Sequence, residues 1–266
     1  MVILHISAEC FPAAKVGGLA DVVGALPKYQ NKMGLNAKVI IPFYENEFTK
    51  NKKFDEVSDG IINLGDLFYN FQILKLKTNL GFELFVVKIP GLLDRENVYG
   101  YIDDMERFMS FQIAVLDWVL KSKVKPDIIH CHDHHTGLVP FMLSNSVKYK
   151  KIKEIPTIFT IHNAQYQGQF AHDKMNFIPH FDFAKVGLLD WDGHVNPMAT
   201  AIKCAWKITT VSPGYMEELK INANGLESLL RHESAKCSGI LNGIDTKVWN
   251  PSTDEHIIKK YSEKTI

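Results

Sequence analysis

The opening stretch, Val2-Ile3-Leu4-His5-Ile6-Ser7, is a short β-branched run that leads into Glu9-Cys10-Phe11-Pro12-Ala13-Ala14-Lys15-Val16-Gly17-Gly18-Leu19-Ala20-Asp21. Apolar residues then recur at Leu19, Val22, Val23 and Leu26, the spacing of one helix face. Gly34 stands where a helix C-terminal stop belongs, and Ala37 to Pro42 reads as the next strand. Pro27, inside the helical pattern, is expected to kink the helix or shorten it. Further along, Phe71 to Lys77 and Phe82 to Pro90 flank Thr78-Asn79-Leu80-Gly81 as a hairpin or as neighbouring strands. Asp103 to Lys121 predicts a helix with Phe108, Phe111, Ile113, Val115 and Trp118 in a wide buried stripe. Strand candidates recur at Asp127 to Cys131, Thr157 to Ile161, Ile208 to Val211 and Ser238 to Leu241, with helical stretches between them. Parallel strands need long crossovers, usually helices, so this rhythm predicts an α/β fold with a mostly parallel sheet covered on both faces. Ligands bind such sheets beyond the carboxyl ends of the strands, so the strand exits carry the functional information.

Composition narrows the function classes. The chain has 266 residues, 46% of them hydrophobic, which is ample for a large buried core. Thirty Lys and Arg balance thirty Asp and Glu, which removes the broad basic footprint of a nucleic-acid binder or a membrane-surface patch. No apolar run approaches the roughly 18 residues of a membrane span, and the amino terminus lacks the basic start of a signal peptide, so a soluble cytoplasmic protein is expected. Cys10, Cys131, Cys204 and Cys237 are scattered without a CxxC pair, which argues against a zinc knuckle or a disulfide scaffold; they are expected to act as small buried hydrophobes.

Each strand exit offers chemistry and a plainer alternative. Gly17-Gly18 at a helix start, with Lys15 nearby, suits a phosphate, though a tight turn with a solvated lysine explains the same residues. After the strand ending at Cys131 come His132-Asp133-His134-His135-Thr136-Gly137. A metal is conceivable there, but the spacing is one residue out of register with HxHxDH, and strand alternation puts His130 and His132 opposite Asp133. His130 is expected to be a hydrogen-bonded core or rim histidine. His162-Asn163-Ala164-Gln165-Tyr166-Gln167-Gly168 supplies amide, imidazole and phenol groups of the kind that read sugar hydroxyls. Ser212-Pro213 reads as a helix cap with proline at the first helical position, and Asn242 in Leu241-Asn242-Gly243-Ile244-Asp245 as an Asx turn or a ligand contact.

Taken together and in this order, these segments resemble the N-terminal domain of bacterial glycogen synthase and plant starch synthase, retaining glucosyltransferases of GT-B architecture. The carriers are Ser7-Ala8-Glu9, Lys15-Val16-Gly17-Gly18-Leu19-Ala20-Asp21-Val22, His130-Cys131-His132-Asp133, His162 to Gly168, and Leu241 to Asp245. The resemblance implies a Rossmann-like lobe over residues 1–250 and the start of an interdomain crossing segment at 251–266, the second, nucleotide-binding lobe being absent. It implies transfer of glucose from ADP-glucose to the non-reducing end of an α-1,4-glucan with retention of configuration. Lys15 with Gly17 and Gly18 would face the diphosphate or sugar. His162 would contact the transferred glucose and Asp133 would lie near acceptor and sugar, both as catalytic residues, with Glu9, Asp21, Tyr99, Asn163 and Asn242 lining the cleft. No metal and no cofactor is implied, since cations and helix amino termini take that role in GT-B enzymes.

Two departures stand out. His134 occupies the position where the family motif usually has Trp, which alters the aromatic surface beside the acceptor. The chain also stops about where a second lobe would begin, so it is expected to be one lobe that turns over poorly alone. The alternatives are a non-catalytic glucan or nucleotide-sugar binding module, a metal-dependent hydrolase built on His130 to His135, and a related enzyme such as sucrose synthase. The choice of ADP over UDP as the carrier is left open.

Overall fold

Val2–Ile6 forms the first strand (β1) and Gly18–Lys32 the first helix (α1) of a computed structural model that describes residues 1–265. The chain continues through β2 (Asn36–Pro42), the one-turn α2 (Glu47–Lys50), β3 (Phe54–Leu64), β4 (Leu67–Leu76), β5 (Glu83–Lys88), α3 (Asp104–Lys121), β6 (Ile128–His132) and α4 (Val139–Asn145). After β7 (Thr157–Ile161) come the two-residue strands β8 (Asp190–Trp191) and β9 (His194–Val195), then α5 (Pro197–Cys204), β10 (Lys207–Thr210), α6 (Pro213–Ile221), α7 (Glu227–His232) and β11 (Cys237–Gly239). Nine strands make one sheet in the order β11-β10-β7-β6-β1-β2-β5-β4-β3. From β11 to β5 every pairing is parallel; β4 and β3 complete an antiparallel edge.

The topology fixes where a ligand can sit. From β1 the chain moves outward to β2, and from β6 it moves the other way to β7, β10 and β11, so the winding reverses between the neighbours β1 and β6. Right-handed crossovers then place the helices of the two halves on opposite faces. On one face, Leu19 and Val23 of α1 join Val39, Ile41, Leu84 and Val86 in the smaller apolar cluster. On the other, α3, α4 and α5 pack over Leu4, Ile6, Ile129 and Phe159 in the larger one. Helix α3 is buried continuously from Arg107 to Asp117, wider than a stripe, because it lies between the sheet and α4. Trp118, assigned to that stripe, is only partly buried against the cluster.

Two further readings change. Helix α1 runs on through Pro27 to Lys32. Strand β4 pairs β5 antiparallel as expected, Gln72 opposite Lys88, but its other edge pairs β3, a strand that the sequence reading omitted. Asp55, Glu56 and Asp59 hide that strand because it is a half-exposed edge with little apolar alternation. Gly24 is required by contact: a Cβ there would lie 2.5 Å from the Phe11 carbonyl oxygen, so α1 can press on the loop after β1 only without a side chain. Gly34 takes φ +86° at the stop after α1, and Ser212 Oγ accepts from Tyr215 N at 2.9 Å at the start of α6.

Cys10 and Cys131 are buried, Cys204 and Cys237 half-buried, and all four are free thiols. Beyond β11, residues 240–265 contain turns but no helix or strand. They cross α1, where Lys28 Nζ meets Asp245 Oδ2 at 2.8 Å. No helix among the described residues is long and apolar enough to cross a membrane.

Candidate functional site

A cavity of about 900 Å³ opens at the carboxyl ends of β1, β6, β7 and β10, where the winding reverses. That size suits a sugar or nucleotide ligand. Glu9, Gly17, Gly18, Tyr99, Asp133, His162, Asn163 and Asn242 all line it. Lys15 and Asp21 do not: they lie outside it and bond each other, Lys15 Nζ standing 2.7 Å from Asp21 Oδ1. Lys15 also sits 5.8 Å from the Trp249 ring centroid. An exposed pair of this kind is worth about 0–1 kcal/mol, so an anion in the cavity could draw Lys15 away at little cost.

Glu9 is the hub of the loop after β1. It is 3% exposed, and its Oε2 accepts from Val16 N at 2.6 Å and Gly17 N at 2.9 Å. Its Oε1 accepts from the Tyr99 hydroxyl at 2.8 Å. The Gly17 amide, assigned to an anion from sequence, is therefore engaged by an internal carboxylate. Gly18 and Leu19, which open α1, are the backbone left at the cavity wall. Tyr44 braces the same loop by donating its hydroxyl to Ala8 O at 2.8 Å.

Asp133 follows β6 with φ +56° and ψ 176°, a conformation that strains any residue with a Cβ by about 1–3 kcal/mol. The turn carries its carboxylate across to β7, where Oδ1 accepts from His162 N at 2.8 Å. Burial pushes the Asp133 carboxyl up to about 7; the His162 and Asn163 amides oppose that rise and the Glu9 charge adds to it. The group therefore favours folding most below its ordinary value near 4, and this contribution is lost as pH rises toward 7. Asp133→Asn, which keeps an amide-accepting oxygen without the buried carboxyl, is expected to be roughly 2–4 kcal/mol more stable than wild type at pH 8, with the gap narrowing toward pH 5. Paired thermal melts at the two pH values check this; an asparagine variant less stable at pH 8 would contradict it.

The histidines separate into two groups. His134 and His135 form a short turn on the cavity side, their ring centroids 3.7 Å apart. His135 stacks on Tyr99 at 4.7 Å, and its buried Nδ1 finds no partner among the described residues. His130 and His132 instead face α1 with His5, and these three could geometrically hold a metal ion. Every ring nitrogen of that trio except His130 Nδ1 is hydrogen-bonded to protein: His5 to Gln30 and His132, His132 to His162, and His130 Nε2 to Thr160 Oγ1 at 2.6 Å. In this arrangement the trio passes hydrogen bonds between side chains. Tyr166, whose phenol was among the expected sugar-reading groups, lines the cavity, and so do His135, Phe108, Met105 and Gln112, which were missed as ligand-site residues. The aromatics and methionine carry the same helical spacing as core residues, so only the unpaired His135 nitrogen distinguishes this wall.

Fold and cavity define a class: a doubly wound α/β lobe with a ligand site at its switch point. Residues 2–232 match the family described as starch synthase catalytic domain, and the chain belongs to that family. It is 51% identical to glycogen synthase of Flavobacterium johnsoniae over 98% of this chain and 56% of that protein. It is 38% identical to glycogen synthase of Halalkalibacterium halodurans over 98% of this chain and 55% of that protein. The catalytic domain of starch synthase IV from Arabidopsis thaliana, solved bound to ADP and acarbose, superposes with a TM-score of 0.88 at 32% identity, covering 99% of this chain and 56% of that one. The chain thus spans about half the length of the curated relatives it matches.

Proposed function

We propose that this chain supplies the acceptor-side half of a retaining glucosyltransferase that moves glucose from ADP-glucose to the non-reducing end of an α-1,4-glucan. The observation that carries the reading is the convergence of Glu9, Asp133 and His162, from three separate strand exits, on one cavity at the switch point. Support comes from the glycogen synthase relatives and from the Arabidopsis domain, which was solved bound to ADP and acarbose.

The reaction separates a diphosphate from a glucosyl group that develops positive charge. Preorganised dipoles and charges lower such a barrier most when water is excluded. In this reading the Asp133 carboxylate, held by two backbone amides, faces the acceptor side of the sugar. His162, Asn163, Tyr99 and Asn242 orient hydroxyls, and Asp21 releases Lys15 to the diphosphate beside Gly18. Gly17 acts through Glu9, by holding the loop. No metal or cofactor enters the reading, because Lys15 and the α1 amino terminus supply positive charge to the leaving group. The remaining counter-charges and the base pocket are assigned to the part of the relatives that extends beyond this match. A cytoplasmic location follows, since a sugar diphosphate does not cross a bilayer unaided.

A fusion of this chain to the remaining residues of the Flavobacterium johnsoniae enzyme, assayed with radiolabelled ADP-glucose and glycogen, is expected to transfer glucose about 100-fold faster than this chain alone. Asp133→Asn in the fusion is expected to remove about 100-fold of that rate. A folded fusion that binds glucan and transfers nothing would instead favour a binding module.

A further inference from the structure

His5 on β1 and His130 on β6 are register partners, and His132 lies two residues further along β6 on the same face. The rings pack closely, with centroids 4.2 Å apart for His130 and His132 and 4.8 Å for His5 and His130. Gln30, near the end of α1, places Oε1 2.8 Å from His5 Nε2. His5 Nδ1 is 3.1 Å from His132 Nε2, and His132 Nδ1 is 3.0 Å from His162 Nε2. His162 is a lining residue of the cavity, which Gln30, His5 and His132 are not.

A neutral imidazole has one N–H and one lone pair, so each ring must hand on the hydrogen-bonding sense that it receives. The Gln30 carbonyl oxygen can only accept. His5 therefore donates from Nε2 and accepts at Nδ1. His132 donates to it from Nε2 and accepts at Nδ1, and His162 donates from Nε2. The one nitrogen left over is His162 Nδ1, which carries a bare lone pair. Burial keeps the chain neutral, as it must be for this logic to hold: it brings His5 and His162 down to about 4 and holds His132 well below its ordinary value. Satisfying nearly every nitrogen is also what makes three imidazoles tolerable at positions whose neighbours on the same face, Val39 and Ile41, are apolar.

We propose that Gln30, His5 and His132 are positioning residues that set the tautomer of His162, so that an unprotonated Nδ1 is presented to whatever fills the cavity. Such an atom accepts from a hydroxyl and offers no proton to a phosphate or carboxylate oxygen. Rotating one amide, three rings away, would invert every link and turn that acceptor into a donor. The use of the acceptor on a sugar hydroxyl rests on the transferase reading; the tautomers do not.

The test is long-range ¹H–¹⁵N correlation of the histidine rings in the ligand-free chain near pH 7.5. His5, His132 and His162 are expected to carry their protons on Nε2. Gln30→Glu, an acceptor only, is expected to leave this pattern in place. Gln30→Lys, a donor only, is expected to remove the His162 Nε2–H signal and create one at Nδ1. A His162 proton on Nδ1 in wild type, or a His162 pattern indifferent to Gln30→Lys, overturns the proposal. So does stoichiometric zinc retained by the purified chain, because the facing nitrogens would then be ligands. Gln30 is half-buried, so its variants leave the core packed, and the wild-type spectrum decides even without them. No sugar or nucleotide enters the experiment, so it can fail independently of the transfer assay.

Discussion

Lowering the pH from 7 to 4.5 is expected to unfold this chain cooperatively. Six imidazoles are buried in their neutral form: burial holds His5, His134 and His162 down to about 4, and His130, His132 and His135 well below their ordinary value. A group whose folded value is depressed favours folding above its unfolded value, here about 6.5, and that contribution is lost as pH falls toward the folded value. For one imidazole moved from 6.5 to about 4, the linkage is on the order of 3 kcal/mol. Neighbouring rings cannot all charge, so the six do not add. Three of them already approach the whole net stability of a typical domain, about 5–15 kcal/mol. Asp133 acts in the opposite sense over the same range, but it is one group against several. Urea midpoints at half-unit pH steps measure the slope directly. A midpoint that stays level from pH 7 to 4.5 would show that the imidazoles are not held neutral by burial.

Arg107→Ala is expected to destabilise the chain by about 3–5 kcal/mol, the range for removing one partner of a buried charged network. The Arg107 side chain is fully buried inside α3. Its Nε donates to Leu92 O at 3.0 Å, Nη1 donates to Val98 O at 3.2 Å and to the Asp104 carboxylate, and the guanidinium lies 4.6 Å from the Tyr101 ring centroid. These contacts fasten the loop between β5 and α3 that delivers the Tyr99 hydroxyl to Glu9. Losing them leaves carbonyls unpaired and lets the Glu9 loop relax. Arg107→Lys should recover less than half of the loss, because an ammonium has no planar fork to reach two carbonyls and a carboxylate together. Chemical denaturation of the two variants is the measurement; a lysine variant within about 0.5 kcal/mol of wild type would refute the fork argument.

Arg107 also marks the limit of reading along the chain. Beside Asp104 it is an ordinary exposed helical pair by spacing, and nothing local says that α3 will be covered on every side. Edge strand β3 failed for the converse reason, since its charged residues face solvent and erase the alternation that betrays a strand. The strand exits fared better because the chain direction there is local information: five of them were found, and the cavity lies among them.

The amino-acid order by itself determined the succession of strands and helices, hence the sheet type and the end of it at which a ligand site should form. Those features depend on periodicity and punctuation, which are properties of neighbouring residues. Only the tertiary structure decided that Gly17 gives its amide to Glu9, that Lys15 rests on Asp21, and that His5 of β1, His132 of β6 and His162 just past β7 touch in series. Contacts across parallel strands depend on crossover handedness and register, and the spacing of residues along one strand carries neither.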